Sequence, residues 1–275
     1  MSTTIPLLPN EVDTSKIVIQ GLRSNPKNKQ GAKWAPVQRK NDDGEEEEFF
    51  VQFPRMKLAF NGLSTDDQNG VKKYSISLSF DKSNFDDATD DNLNRIGRFQ
   101  KVLSDMDEGN IEHGVARSEE LFGKSKSKDV IEDTYSTLIK YSKSVNTSTG
   151  QPWAPTFKIK LPIRKGRPDF QLYNSKKQEI SVGQKEDGEW DLESHILKGA
   201  EVKGIFKFST MWVAGGKFGM TTELKQMIIF PQNKGFKGLA IRVTDDESEE
   251  EYEDDLDNSE GEASVSDQSS DTDES

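Results

Sequence analysis

Between residues 199 and 231 apolar and polar side chains alternate on either side of a Gly-Gly pair. A period of two predicts strand, and two such runs around Ala214-Gly215-Gly216-Lys217 predict one long β-hairpin. On the first arm Val202, Phe206, Phe208 and Trp212 form the apolar row. On the second Phe218, Met220, Leu224, Ile228 and Phe230 do so. The opposite rows carry Lys203, Lys207, Ser209, Thr221, Glu223 and Lys225. Arms of about a dozen residues exceed the usual strand length and suit a bent sheet or a small barrel.

The same reading places further strands before the hairpin. Lys16–Gln20 is a short strand, and the polar stretch 24–48, with Trp34 inside it, is a flexible loop. Phe49–Phe60 is a strand whose Pro54 demands an edge or a bulge, because proline has no N–H for the ladder. Val71–Phe80 alternates with Tyr74, Ile76, Leu78 and Phe80 on one face, so 49–80 is a second hairpin. The period then turns helical, with Ile96, Phe99, Val102, Leu103 and Met106 three and four apart. A shorter helix is expected over 111–122, and Val130, Ile131, Tyr135, Leu138 and Ile139 mark a third. Strands resume at 155–163, 169–173 and 178–182, with a helix at 191–197 and a last strand at 236–243. The chain is mostly β (α+β), with a helical insertion at about 90–145. A loose N-terminal arm (1–15) precedes the body (16–244).

Charge changes that picture at its C-terminal end. The whole chain carries 37 basic and 49 acidic residues, a net −12. Sixteen of the acids lie in 245–275, which has no Lys or Arg, so the body is close to +4. Residues 150–244 hold 16 basic and 9 acidic residues, and this is where an anionic partner is expected. The acidic tail has too little apolar surface to fold and is expected to be disordered. The chain has no cysteine, which excludes disulfides and thiolate chemistry. The N-terminus has neither a basic region nor a long apolar run, and no stretch approaches 18 apolar residues. An intracellular protein without a membrane span is expected.

The sharpest candidate chemistry lies at 153–173. Phe157, Ile159, Leu161 and Ile163 face one way, and Lys158, Lys160 and Arg164 the other. Lys165 and Arg167 extend the basic run, flanked by Trp153, Phe170 and Tyr173. Cations along a strand can follow phosphates, and aromatic rings can stack on unpaired bases. An ordinary solvated face over core aromatics is the competing reading. A second group, Arg55, Lys57, Lys72, Lys73 and Tyr74, lies on the earlier hairpin, where surface charge alone would also explain it. Trp212 and Phe218 fit the core, while Lys217 at the turn is placed to meet phosphate. Catalysis has little support. His113 and His195 stand apart without metal-ligand spacing, and Gly215–Gly219 lacks the phosphate-loop pattern. No enzyme activity, cofactor or metal is expected.

These residues resemble a family. Pro155–Pro162 (PTFKIKLP) and Ser209–Pro231 look like the OB-fold single-stranded DNA-binding proteins of large eukaryotic DNA viruses, themselves distantly similar to phage replication proteins of that kind. In the second segment the carriers are Met211-Trp212, Gly215–Gly219 and the spacing Leu224, Gln226, Ile228. The likeness extends loosely over 49–243. It implies an OB-like barrel that coats single-stranded DNA in viral replication, recombination or repair, in host cytoplasm or nucleus. It also implies that the tail modulates DNA binding and contacts a polymerase or other replication proteins, with self-association left open. In the phage relatives the tail ends in an aromatic residue, whereas this one ends Asp273-Glu274-Ser275. Stacking is expected from among Trp153, Phe170, Tyr173, Tyr74 and Trp34. The alternative is a histone-chaperone-like protein in which the tail and Glu45–Glu48 bind basic partners.

Overall fold

The computed structural model describes residues 5–24, 31–68, 71–81 and 90–230. The expected strand at 236–243 and the tail lie outside them. Three strands open the chain, β1 (Ile17–Ile19), β2 (Arg23–Ser24) and β3 (Lys33–Lys40). The hairpin β4 (Glu46–Gln68) and β5 (Val71–Ser79) follows. The helical block is α1 (Asp90–Ala116), α2 (Ser118–Phe122) and α3 (Lys128–Thr134). Short strands β6 (Tyr135–Ser136) and β7 (Ile139–Lys140) lead to β8 (Thr156–Leu161), then to β9 (Ile163–Arg164), β10 (Arg167–Pro168), β11 (Gln171–Asn174) and β12 (Glu179–Ile180). The long hairpin is β13 (Glu201–Ala214) and β14 (Lys217–Phe230).

Five of these strands close a ring. β13 pairs with β4, β4 with β5, and β5 with β8, all antiparallel. β8 meets β14 in parallel at Lys160 and Glu223, and β14 returns to β13. Counted in chain order, the ring runs first–second–third–fifth–fourth–first, which is the OB barrel, and the structure is mostly β as expected. The parallel seam is one residue pair long. On either side of it β14 is paired instead by β6 and by β11.

Buried rings fill the barrel. Phe206 lies 5.1 Å from both Phe157 and Phe208, and Phe208 stacks on Phe49 at 4.8 Å. α1 closes one side of this cluster, with Phe99 edge-on to Phe157 at 5.7 Å and to Phe206 at 6.0 Å. The helical stripe Ile96, Phe99, Val102, Leu103 and Met106 is buried, as its spacing required. The Gly-Gly turn behaves as read: Ala214 pairs with Lys217, and both glycines have positive φ, as a two-residue hairpin turn needs.

Several expectations are corrected. Residues 31–48 are not a flexible loop. Lys33–Pro36 pair with β13 and Gln38–Lys40 with β4, burying Ala35 and Val37. α1 runs unbroken through 111–116, where Gly114 leaves room for the Phe218 ring (a Cβ there would stand 2.6 Å from it). α3 ends at Thr134, and Tyr135 and Ile139 lie on strands because β14 and β8 offer them ladder partners. No helix forms at 191–197, which is a series of turns. Pro54 sits at a bulge: Phe53 pairs with Gly204 and Met56 with Val202, leaving Pro54 and Arg55 opposite Lys203 alone. The N-terminal segment is tied to β4, the Leu7 N–H donating to Phe50 O and the Gln52 N–H to Leu7 O.

Candidate nucleic-acid interface

The outward face of β5 and β8 is set by their register. Ser79 pairs with Thr156, Ser77 with Lys158, and Ser75 with Lys160, so these six share one side of the sheet. Phe157, Ile159 and Leu161 point into the barrel, and the expected alternation of 155–163 holds. Lys158 is exposed and has no ion pair among the described residues. Lys160 is exposed along its length, but its ammonium lies against the sheet, donating to Thr221 Oγ1 at 3.3 Å. That burial, and then the charge of Lys73, hold its pKa below the ordinary lysine value.

This face opens into a cleft of 720 Å³, which Ser79 and Thr156 line. Three aromatic rings border it and stand in solvent: Phe60 is 68% exposed, Tyr141 67% and Trp153 53%. Exposure of three large rings around one cavity has no folding rationale, since burial of each would be favourable. Lys57, Lys140 and Lys198 line it too, with Asp81 the one carboxylate among the described lining residues.

Each ring is held out by local structure. In β4 the register jumps between Leu58 and Leu63, whose partners Leu78 and Ile76 are only two apart. Residues 59–62 therefore loop out, with Phe60 at φ 55°. Gly62 makes the loop fit. It has φ 85°, and a Cβ there would stand 2.7 Å from the Leu197 carbonyl oxygen. Tyr141 follows β7, which is fixed from α1: Asp107 Oδ1 accepts from the Tyr135 hydroxyl at 2.7 Å and from the Leu138 N–H at 2.8 Å. Asn110 donates to the same hydroxyl at 2.9 Å. Burial raises the Asp107 pKa, and burial with the Asp107 charge raises that of Tyr135. Trp153 ends the 144–153 loop, its N–H reaching Ser144 O.

Lys140 donates to Ser136 Oγ at 2.9 Å. Burial lowers its pKa; Asp107 opposes this, and Lys217 at the β13–β14 turn adds to the lowering. At the far end of β8, Lys165 and Arg167 stand exposed on the β9–β10 turn without ion pairs among the described residues. Arg164 is held by Glu223 at 2.6 Å and Asp169 at 3.2 Å.

Of the residues expected to bind, the structure joins Lys57 and Trp153 in the cleft and continues it through Lys158 and Lys160. Two expectations fail on burial. Tyr74 is 7% exposed and Phe170 9%, because both point into the core and have no ring face to offer. Tyr173 is half-buried on β11, away from the cleft lining. Lys72 pairs with Glu189, and Lys73 stands cross-strand from Asp66. Arg55 pairs with Glu201 and lies over the Phe230 ring at 4.2 Å. Trp34 pairs in register with Trp212 on the outer surface, with Arg23 above its ring at 5.2 Å. Phe60, Tyr141, Lys140 and Lys198 were missed. The one signal for Phe60 is its place directly before Asn61-Gly62.

No protein-family model matches this chain, and no curated protein matches it in sequence. Solved structures do. The single-stranded DNA-binding protein from bacteriophage Enc34 is 14% identical over 82% of this chain and 98% of its own, with a TM-score of 0.41. The single-stranded DNA-binding protein gp2.5 encoded by bacteriophage T7 is 12% identical over 70% of this chain and 92% of its own, with a TM-score of 0.40. Similarity at that level leaves the ligand to be argued from the side chains of this chain.

Proposed function

We propose that the chain binds single-stranded DNA without sequence preference, through the aromatic cleft and the β5–β8 face. The observation that carries this is the convergence of Phe60, Tyr141 and Trp153 with Lys57, Lys140 and Lys198 on one cleft that opens onto Lys158 and Lys160. Rings in solvent can stack only on bases that are themselves unstacked, which selects single strands over duplex. Every base has a π-face, so stacking is indifferent to sequence. Lysines along β8 follow the backbone as point charges. In OB barrels the face of the second and third strands is the oligonucleotide surface, and here those strands are β5 and β8.

The choice of DNA, and of viral replication, recombination or repair as its setting, rests on the resemblance of Pro155–Pro162 and Ser209–Pro231. On this reading the acidic tail competes with DNA for the basic body and serves as a contact for replication proteins. The chaperone-like alternative loses part of its support: Glu47 is paired with Arg39 and Glu48 with Lys207, so half of the Glu45–Glu48 cluster is already neutralised within the sheet.

Fluorescence anisotropy of a labelled oligo-dT tests the reading. Tight, salt-sensitive binding that duplex competes for poorly, and that Phe60→Ala with Trp153→Ala abolishes, is expected. Equal affinity for duplex, or no effect of the paired substitution, would overturn it.

A further inference from the structure

A second cleft, of 430 Å³, lies beside the first and differs in chemistry. Arg55, Arg95, Arg98 and Lys203 line it with Gln52 and Asn10, and its described lining holds neither an aromatic ring nor a carboxylate. Three elements bring the cations together. Arg55 is put there by the Pro54 bulge of β4, which sets it opposite Lys203 of β13. Arg95 and Arg98, three apart on α1, lie on one helix face, while Ile96 and Phe99 anchor that helix in the core. Glu201 neutralises Arg55, but Arg98 and Lys203 have no ion pair among the described residues. Guanidinium forks match phosphate oxygens in pairs, and a site without rings has nothing to hold a base.

The two clefts share a strand. Arg55 lines one and Lys57 the other, and the two residues stand on the same face of β4, ~7 Å apart. We propose that the arginine cleft is a base-blind phosphate seat, which holds the backbone of the same strand as it leaves the aromatic cleft. The inference rests on the reading of the aromatic cleft given above. It assigns the strand a path over the barrel rim onto α1, and it fixes a direction, because a strand with chemical polarity can reach the seat from only one of its ends.

The probe is an oligo-dT of about six nucleotides, extended at its 5′ or its 3′ end by abasic deoxyribose phosphates. The protein is the full chain, alone and as Arg98→Ala with Lys203→Ala. Both positions are at the surface, and unchanged thermal melting confirms folding of the variant. The extension at one end should tighten binding and steepen the dependence of log K on log salt by about 1.4, as two further phosphates at ~0.7 each, one for Arg98 and one for Lys203, require. The double variant should lose that gain and keep its affinity for the unextended oligomer. A gain at neither end, equal gains at both ends, or a gain that survives in the double variant would overturn the seat while leaving the aromatic cleft standing. Failure of the unextended oligomer to bind the unaltered chain overturns both. If the double variant loses affinity for a peptide of residues 245–275 and keeps the abasic gain, the cleft belongs to an acidic peptide and the proposal fails.

Discussion

Two kinds of residue decide this molecule, and they respond to substitution differently. Phe60 and Trp153 are exposed, so truncating either to alanine leaves the fold intact and removes a stacking surface, at ~1–3 kcal/mol of single-strand affinity each. Titration of oligo-dT against each variant measures this, with urea unfolding as the control. Asp107 is the reverse case. Its carboxylate accepts from Tyr135 and Leu138 in the core, and Asp107→Ala would leave both donors unsatisfied at a cost of about 2 kcal/mol in unfolding free energy. Burial raises the Asp107 pKa in the folded state, so the native protein holds that proton more tightly than the unfolded chain does. Its contribution to stability is therefore greatest below the ordinary carboxylate value and declines as pH rises through the raised one. Subtracting the stability curve of Asp107→Asn from that of the unaltered chain should show this fall, and a flat difference would refute it. Lys160 titrates with the ligand instead. Its pKa is lowered, and phosphate binds the protonated form, so affinity should fall at alkaline pH earlier than for ordinary lysines. Lys160→Arg, whose guanidinium stays charged, should remove that fall in a pH series of oligo-dT titrations.

At the scale of elements, bulges do the placing. The looped residues 59–62 turn a core strand outward at Phe60 and Asn61 and return it to register at Leu63. Gly62→Ala puts a methyl into the Leu197 backbone at a positive φ, and should cost ~1–3 kcal/mol of stability. It should also weaken single-strand binding about as much as Phe60→Ala, because the ring loses its mount. Full affinity in this variant, measured beside its unfolding curve, would show that the loop does not position Phe60. Two further irregularities reverse the faces of the long hairpin. Past the shift between Phe208 and Thr210, Met211 and Val213 turn inward and Trp212 outward. Past that between Ile205 and Phe206, Met227 becomes the buried residue of β14 in place of Ile228. Strict alternation carried through the hairpin assigns Trp212 and Ile228 to the wrong side, because one extra residue in a strand moves everything beyond it to the other face.

Over the whole molecule, charge is divided by position along the chain. Sixteen acids at 245–275 oppose a body of about +4. Removing residues 245–275 should tighten oligo-dT binding, most at low salt, where repulsion between tail and ligand is least screened. Unchanged affinity of the 1–244 chain across a salt series would remove the tail from the mechanism. The basic surface itself is narrower than its composition suggests. Arg164, Arg55 and Lys72 are tied to Glu223, Glu201 and Glu189 within the sheet, whereas Lys158, Lys165, Arg167 and Lys217 have no ion pair among the described residues.

What the sequence determined by itself was whatever depends on near neighbours along the chain. The Gly-Gly turn, the outward lysines of 155–163, the bulge at Pro54 and the buried stripe of α1 follow from backbone geometry and a local period. The unbroken ring of strands, the strand at 33–40, and the end of α3 at Thr134 depended on ladder partners far away in the chain. So did the burial of Tyr74 and Phe170, since alternation defines two faces and only packing says which is inside. The aromatic cleft was decided by tertiary structure alone: Phe60, Tyr141 and Trp153 come from three separate segments, and no local pattern encodes their meeting.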